Sequence, residues 1–487
     1  MTTENTTENT TENIRTYDVI VIGAGPVGEN VADRTAAAGL STVIVESELA
    51  GGECSYWACE PSKALLRPAL LRADALHLPG LDPAVRNPLD TEAVLAHRDR
   101  MSADWQDDGQ VEWIKSAGID FLRGHGRLTG EREVSVGTAD GATVRLQARH
   151  AVAVCTGSRA ALPPLPDIEA LRPWTSREAT SARRPPRRLA IVGAGVVGVE
   201  MATAWQALGS RVTLLAREEG LLPRMEPFAG ELVTERLREA GADVRFGISV
   251  VAAERLPNGE VRITLSDDGE LVADEILFAT GRAPRSEDIG LDTVGLTPGD
   301  WLATDDSLTV TAVPDNWLYA VGDVNRRALF THQGKYQARI AGAVIAARAR
   351  GEELATGRWA PHSSTADLEA VPGVVFTDPE VASVGMTVRE AERTGRAVDV
   401  VDYDIGHLAG AVQYRPDYRG RARILIDRDR QVVVGATFVG PGVGELLYSA
   451  TVAITGEVPV ERLWHAVPAF PTISEVWLRL LETRRDS

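Results

Sequence analysis

The sequence predicts an α/β chain with two doubly wound parallel-sheet units followed by a C-terminal α+β domain. Three observations carry this. A short apolar strand runs into a Gly-x-Gly-x-x-Gly turn and then a helix over residues 17–38. The same arrangement returns over residues 188–208. Beyond about residue 360, separated strands precede helices, the segregation expected of an α+β domain.

The first strand, Tyr17-Asp-Val-Ile-Val-Ile22, is a short continuous apolar run suited to burial on both faces. It enters Gly23-Ala-Gly25-Pro-Val-Gly28, then a helix from Glu29 to Ala38 closed by Gly39, then a strand Thr42 to Val45 ending at Glu46. Glycines there permit a tight turn and let the backbone approach a pyrophosphate at the helix N-terminus. An acid about 20 residues on, here Glu46, accepts the ribose hydroxyls. The second unit has the strand Arg188 to Val192, the glycines Gly193, Gly195 and Gly198, a helix through Leu208, Gly209, and the strand Val212 to Leu215. Two such units imply two bound dinucleotides. Pro-rich residues 163–187 read as the linker between them. A third short strand, from Leu318, ends in Gly322-Asp323. Strands at Gly373 to Phe376, Ala422 to Asp427 and Gln431 to Val439 then precede helices over 443–455 and 474–483.

A length of 487 residues suits about three domains. No apolar run reaches the ~18 residues of a membrane helix. A formal charge of −18 argues against nucleic acid and anionic membrane as partners. The Thr-Thr-Glu-Asn repeats up to Asn13 contain no apolar stretch, so residues 1–16 are expected to be a disordered tail and the protein cytoplasmic. Among 51 basic residues only Lys63, Lys115 and Lys335 are lysines, which draws attention to a lysine at a mechanistically sensible position. The three cysteines are Cys54, Cys59 and Cys155. In a reducing cytosol the close pair suggests redox work, and no Cys/His cluster offers a zinc site, so no metal is expected. Cys155, in an apolar strand, reads as core. A short disulfide loop entering a helix N-terminus would lower the thiol pKa of the pair.

The segment Gly51-Gly52-Glu53-Cys54-Ser-Tyr-Trp-Ala-Cys59-Glu60-Pro-Ser-Lys63 closely resembles the active-site segment of the pyridine nucleotide-disulfide oxidoreductases. The resemblance extends to both nucleotide folds, Cys155-Thr-Gly157-Ser, Gly281-Arg282-Ala-Pro, Gly322-Asp323 and Phe376-Thr-Asp-Pro-Glu-Val-Ala-Ser-Val-Gly385. It implies an FAD domain over 17–160, an NAD(P) domain over 161–285, a return to the FAD domain over 286–358, and a dimerisation domain over 359–487 that forms a homodimer. It also implies that Asp323 holds the flavin ribityl chain and that Cys59 lies against the isoalloxazine while Cys54 faces the substrate. Lys63, paired with Glu200, would lie near flavin N5, where an ammonium stabilises the anionic reduced flavin. Gly52, Gly157, Gly281 and Arg282 join the cofactor-binding set on the same ground.

Two departures bear on specificity. The second strand of the nicotinamide unit ends in Ala216-Arg217 where NADH-preferring relatives carry an acid. An arginine there can pair with a 2′-phosphate, with Arg224 assisting, so NADPH is expected over NADH. The family's disulfide reductases end in His-Pro-Thr…Glu, whose histidine serves as acid–base in the partner subunit. This chain has Phe470-Pro-Thr…Glu475, which keeps the glutamate and loses the proton carrier. His465 could substitute, and Glu60 could tune the thiols or face water. The expectation is therefore an NAD(P)H-dependent flavoprotein oxidoreductase with a Cys54–Cys59 disulfide and a small-molecule acceptor that needs no histidine: a metal-thiolate, a quinone or a special disulfide. The alternatives are a dihydrolipoamide dehydrogenase of a lipoyl complex and a flavin-bound redox sensor with little turnover.

Overall fold

A computed structural model describes residues 14–486. The expected tail lies outside these residues through Asn13, but Arg15 and Thr16, assigned to it above, are strand. They pair with Leu146 and Gln147, which gives their backbone groups ladder partners that a tail would lack. Contacts divide the chain into two units.

The first unit comprises the residues up to Gly52, Gln106–Arg159 and Ala283–Ser364. In its seven-stranded sheet Asp120–Arg123, Thr42–Glu46, Arg15–Ile22 and Thr143–Val154 run parallel in that order. Leu318–Ala320 adds in parallel beside Thr143–Val154, and the hairpin His125–Gly130 and Glu133–Gly137 adds antiparallel. Alternate residues of the first strand serve different cores. Val19 and Val21 join the cluster containing Val31, Ala341 and Val344, whereas Ile20 and Ile22 join the one containing Leu128, Val136 and Leu318. Burial on both faces explains why this strand reads as a continuous apolar run. The helix Pro26–Ala37 starts with Gly25 as its cap and Pro26 in its first turn, where a missing N–H costs nothing. Thr331–Ala349 packs on it so closely that a Cβ at Gly342 would lie 2.5 Å from the Cβ of Arg34.

The second unit comprises Glu53–Trp105, Ala160–Arg282 and the described residues from Thr365 on. It holds a four-stranded parallel sheet ordered Asp243–Arg245, Arg211–Leu215, Arg188–Val192, Glu275–Phe278, and a three-stranded antiparallel sheet over 250–273 that the sequence reading missed. Its C-terminal part is a five-stranded antiparallel sheet ordered Pro372–Val375, Glu380–Gly385, Val433–Gly440, Arg421–Asp427, Val398–Asp404. The last strand of the expected set begins at Val433 rather than Gln431. Gln431 has φ +55° in a turn whose N–H groups at Asp429 and Arg430 donate to Asp427. The expected helix over 443–455 divides into a 3-10 turn, Val443–Leu446, and the helix Leu447–Thr455. That over 474–483 becomes Val476–Asp486, preceded by the 3-10 turn Ile473–Glu475. One apolar cluster ties Leu65, Leu66 and Leu70 of the helix Cys59–Leu76 to Val199 and Trp205 of Val196–Ala207 and to Val375 and Val439 of the five-stranded sheet.

Glu29 is an exception to the apolar interior of the first unit. It is 7% exposed, and its Oε1 meets no hydrogen-bond partner among the described residues. Burial pushes its carboxyl up to about 7 from an ordinary 4.5, with Glu46 adding to the rise and Lys335 opposing it. The unfolded chain therefore releases this proton first, so its contribution to stability falls as pH climbs from about 4.5 to about 7 and stays low above that. Glu29→Gln is expected to raise unfolding free energy by up to roughly 3 kcal/mol at pH 8 and by far less at pH 5. Denaturant titrations across pH that run parallel for the two proteins would refute this.

Candidate active site

Around the first glycine turn only glycine fits at two points. A Cβ at Gly23, where φ is +103°, would lie 2.6 Å from the carbonyl oxygen of Cys155, and one at Gly28 would lie 1.9 Å from that of Gly23. Gly25 caps the following helix with no side chain over its N-terminus, and a Cβ at Gly52 would lie 2.9 Å from the Cα of Gly25. Glu46 is held by backbone donors: Ala24 N–H reaches Oε2 at 2.7 Å and Glu48 N–H reaches Oε1 at 2.7 Å. Across the same unit Gly322 has φ +83°, and Asp323 Oδ2 accepts a 2.6 Å bond from Ser158 Oγ. Ser158 was not singled out as a site residue, although it ends the Cys155-Thr-Gly157-Ser motif. An uncapped helix N-terminus, a glycine-walled approach and two oriented acids fit the diphosphate, ribose and ribityl groups of FAD. Cys155 is buried in the apolar core, which holds its thiol well above the usual range.

The second turn repeats the device. A Cβ at Gly193 would lie 2.4 Å from the carbonyl oxygen of Ala279, and one at Gly198 would lie 2.2 Å from that of Gly193. Gly195 caps Val196–Ala207 without a side-chain bond. Gly281 has φ +139°, and Arg282 beside it is half-buried. Ala216 is buried, whereas the Arg217 side chain is 80% exposed and bonds Glu218 at 3.0 Å. Arg224 is exposed.

Cys54 lies in the short helix Gly52–Trp57 and Cys59 opens the helix Cys59–Leu76, with a break at Ala58 between them. Both thiols are half-buried. The intervening turn is pinned from behind. Thr180 Oγ1 donates to the Trp57 carbonyl at 2.9 Å and Trp105 Nε1 to that of Tyr56 at 3.0 Å. Arg177 lies 4.0 Å from the Trp57 ring centre while its Nε donates to Glu53 at 2.5 Å. No sequence signal pointed to Arg177, which comes from the helix Ser176–Ser181. Glu60 is exposed and faces water.

One turn into the longer helix, Lys63 Nζ donates to Glu200 Oε2 at 2.9 Å. Glu200 Oε1 accepts the Phe376 backbone N–H at 3.0 Å, and the Phe376 ring centre lies 4.9 Å from the ammonium. The Glu200 side chain is 5% exposed. At the C-terminal end the Phe470 side chain stands open and His465 is exposed. Glu475 is buried, with Oε1 bonded to Arg479 at 2.6 Å and Oε2 meeting no hydrogen-bond partner among the described residues. Tyr448, Val452, Trp464 and Val467 are exposed in the same region.

Residues 17–349 match the family described as pyridine nucleotide-disulphide oxidoreductase, and residues 371–480 match that family's dimerisation domain. Dihydrolipoyl dehydrogenase 3 of Pseudomonas aeruginosa is 32% identical over 473 residues, covering 95% of this chain and 96% of that protein. Mercuric reductase of Shigella flexneri is 31% identical over 468 residues, covering 94% of this chain and 78% of that protein. Among solved structures, LpdA of Mycobacterium tuberculosis superposes with a TM-score of 0.80 at 24% identity, covering 97% of this chain and 100% of that one. The HOCl-induced flavoprotein disulfide reductase RclA of Escherichia coli does so with a TM-score of 0.80 at 22% identity, covering 96% and 99%. No helix among the described residues is long and apolar enough to cross a membrane. The glycine turns, the paired cysteines and nearly the whole length of the chain thus belong to one lineage of FAD- and NAD(P)H-dependent enzymes with a redox-active disulfide, and this chain is a member of the pyridine nucleotide-disulphide oxidoreductase family.

Proposed function

We propose that this chain is an NADPH-dependent reductase, working as a homodimer, whose Cys54–Cys59 dithiol passes two electrons to an acceptor that needs no proton from the protein. A soft metal ion held by thiolates is the acceptor class best supported. The observation that carries this reading is Phe470 in the place of the family's acid–base histidine. A disulfide acceptor releases a thiolate that must be protonated, and loss of a positioned acid there costs about 10²–10⁴ in rate. A thiolate-bound Hg(II) takes the electron pair and leaves as Hg(0) while the dithiol closes to a disulfide (a one-electron ion such as Cu(II) requires two equivalents per dithiol). The thiol protons have already gone to solvent on metal binding. The relationship to mercuric reductase supports the same class. The relationship to dihydrolipoyl dehydrogenases favours a lipoyl substrate as the second reading, which Phe470 opposes.

In this reading Glu46, Asp323 and the turn from Gly23 to Gly28 hold FAD together with Gly52 and Gly157. Gly193, Gly195, Gly198, Gly281 and Arg282 hold the nicotinamide dinucleotide. Bound FAD supplies the two-electron relay between nicotinamide and disulfide. Cys59 takes the flavin side and Cys54 the acceptor side, while Lys63 fixes a positive charge and Glu200 holds that charge in place. Glu475 closes the acceptor end beside Phe470. Buried Ala216 removes the acid that would repel a 2′-phosphate. An exposed pair such as Arg217–Glu218 contributes only about 0–1 kcal/mol, so a phosphate can displace Glu218.

Steady-state oxidation of NADPH against Hg(II), Cu(II), lipoamide, glutathione disulfide, a quinone and oxygen tests the acceptor. The highest kcat/KM is expected with a soft metal ion. Lipoamide in first place would establish the second reading, and uniformly negligible rates would leave a sensor. The long-wavelength absorbance expected on two-electron reduction should vanish in Cys59→Ser and survive in Cys54→Ser; the opposite pattern reverses the assignment of the sulfurs. Phe470→His should raise kcat with lipoamide at least tenfold, the low end of the ~10²–10⁴ range being discounted for imperfect placement, and leave the metal rate unchanged. Finally, kcat/KM should favour NADPH over NADH, and Arg217→Glu should cut that ratio by about 10–100-fold, the worth of one charged hydrogen bond. A wild-type preference for NADH would remove the 2′-phosphate assignment.

A further inference from the structure

We propose that Phe376 is a positioning residue for electron transfer, holding the Lys63 ammonium and the Glu200 carboxylate in one fixed arrangement. This rests on the reading above that Lys63 acts beside the flavin. The Lys63–Glu200 pair by itself leaves two freedoms. A carboxylate can rotate and offer either oxygen, and a lysine side chain has four carbons of slack and a charge that any direction satisfies. Phe376 restricts both. Its backbone N–H donates to Glu200 Oε1 at 3.0 Å, which orients the carboxylate with Oε2 toward Lys63 at 2.9 Å. Its ring centre lies 4.9 Å from Nζ and offers the ammonium a second, softer contact.

The residue is itself held firmly. It follows the strand Pro372–Val375, whose Val375 is fully buried, and Thr377 Oγ1 donates to the Pro379 carbonyl at 2.7 Å. Two residues on, Asp378 accepts from Arg236 at 2.6 Å and from Arg415 at 3.2 Å. Arg415 also lies 3.8 Å from Asp74, near the far end of the helix that Cys59 opens. The segment 376–378 therefore touches both ends of the element that carries Cys59 and Lys63. At the first end it acts through Phe376, and at the other through Arg415. The backbone bond survives any substitution except proline, whereas the ring contact survives only aromatic ones, so side-chain variants isolate the ring.

The test uses the FAD-loaded enzyme with Phe376→Leu, Phe376→Tyr, Lys63→Met and the double variant Lys63→Met/Phe376→Leu. Phe376→Leu should slow flavin reduction by NADPH three- to tenfold in rapid mixing, move the flavin midpoint potential negative and leave KM for NADPH unchanged. A loss of that size is what a partly exposed cation–ring contact supplies. Phe376→Tyr keeps the ring face and should keep both values. In the Lys63→Met background Phe376→Leu should add nothing, because its effect passes through the ammonium. An unchanged rate and potential in Phe376→Leu, or an equal loss with and without Lys63, overturns the proposal alone. A Lys63→Met enzyme with normal rate and potential overturns the reading of Lys63 and the proposal with it. If Phe376→Leu does not fold, Phe376→Tyr and Phe376→Trp decide: a loss on keeping an aromatic face overturns the proposal, and retained rate and potential support it.

Discussion

The Glu200 side chain is 5% exposed, and donors reach it from two directions, the Lys63 ammonium at Oε2 and the Phe376 backbone N–H at Oε1, which offsets the cost of burying it. Its donors come from the helix Cys59–Leu76 and from the segment before Glu380–Gly385, while Glu200 itself sits on Val196–Ala207. Three pieces of chain far apart in sequence are thereby tied at one point in the second unit. The tie is specific in a way that the surrounding Leu65, Val199 and Val375 contacts are not, because apolar packing tolerates sliding and a shared carboxylate does not. Everything about Lys63 and the first turn of the thiol-bearing helix depends on that point.

The glycine turns solve a different problem. Each brings a helix N-terminus to the end of a parallel strand so closely that a methyl group at Gly28 or Gly198 would overlap a carbonyl oxygen. The same closeness leaves the helix ends at Gly25 and Gly195 without side-chain caps, open to phosphate. Stability and binding therefore follow from one geometric condition, and the turns keep their form although the two units differ in what surrounds them. The first turn has an oriented acid in Glu46; the second ends in buried Ala216 and an exposed arginine.

In the proposed reading, the acceptor end is where this chain departs from the disulfide reductases of its family. Around the cysteines Arg177 stands against both Trp57 and Glu53, beside the turn between the two thiols. At the C-terminal end it places an apolar ring at position 470 and keeps a buried glutamate whose second oxygen meets no donor within the described chain. The partner subunit of the proposed dimer would bring its own surface to this region. The exposed Tyr448, Val452, Trp464 and Val467 in the family's dimerisation domain supply the apolar area such contact requires.

By itself the sequence determined the two strand–glycine–helix units, the acid at 46, the cysteine pair and the α+β ending, because each is written in consecutive residues whose period or spacing has a local physical cause. It also carries phenylalanine at 470, where the resemblance implies a histidine. It misjudged the start of the first strand, divided the C-terminal helices wrongly and passed over the antiparallel sheet of 250–273, where short strands alternate too weakly to stand out. Only the tertiary structure decided that Ser158 orients Asp323, that Arg177 braces Trp57 and that Phe376 holds Lys63 and Glu200. The hydrogen bonds Ser158–Asp323, Arg177–Glu53 and Phe376–Glu200 join residues separated by 165, 124 and 176 positions. No periodicity reaches so far; such pairs are set by how the sheets stack and which helix faces meet.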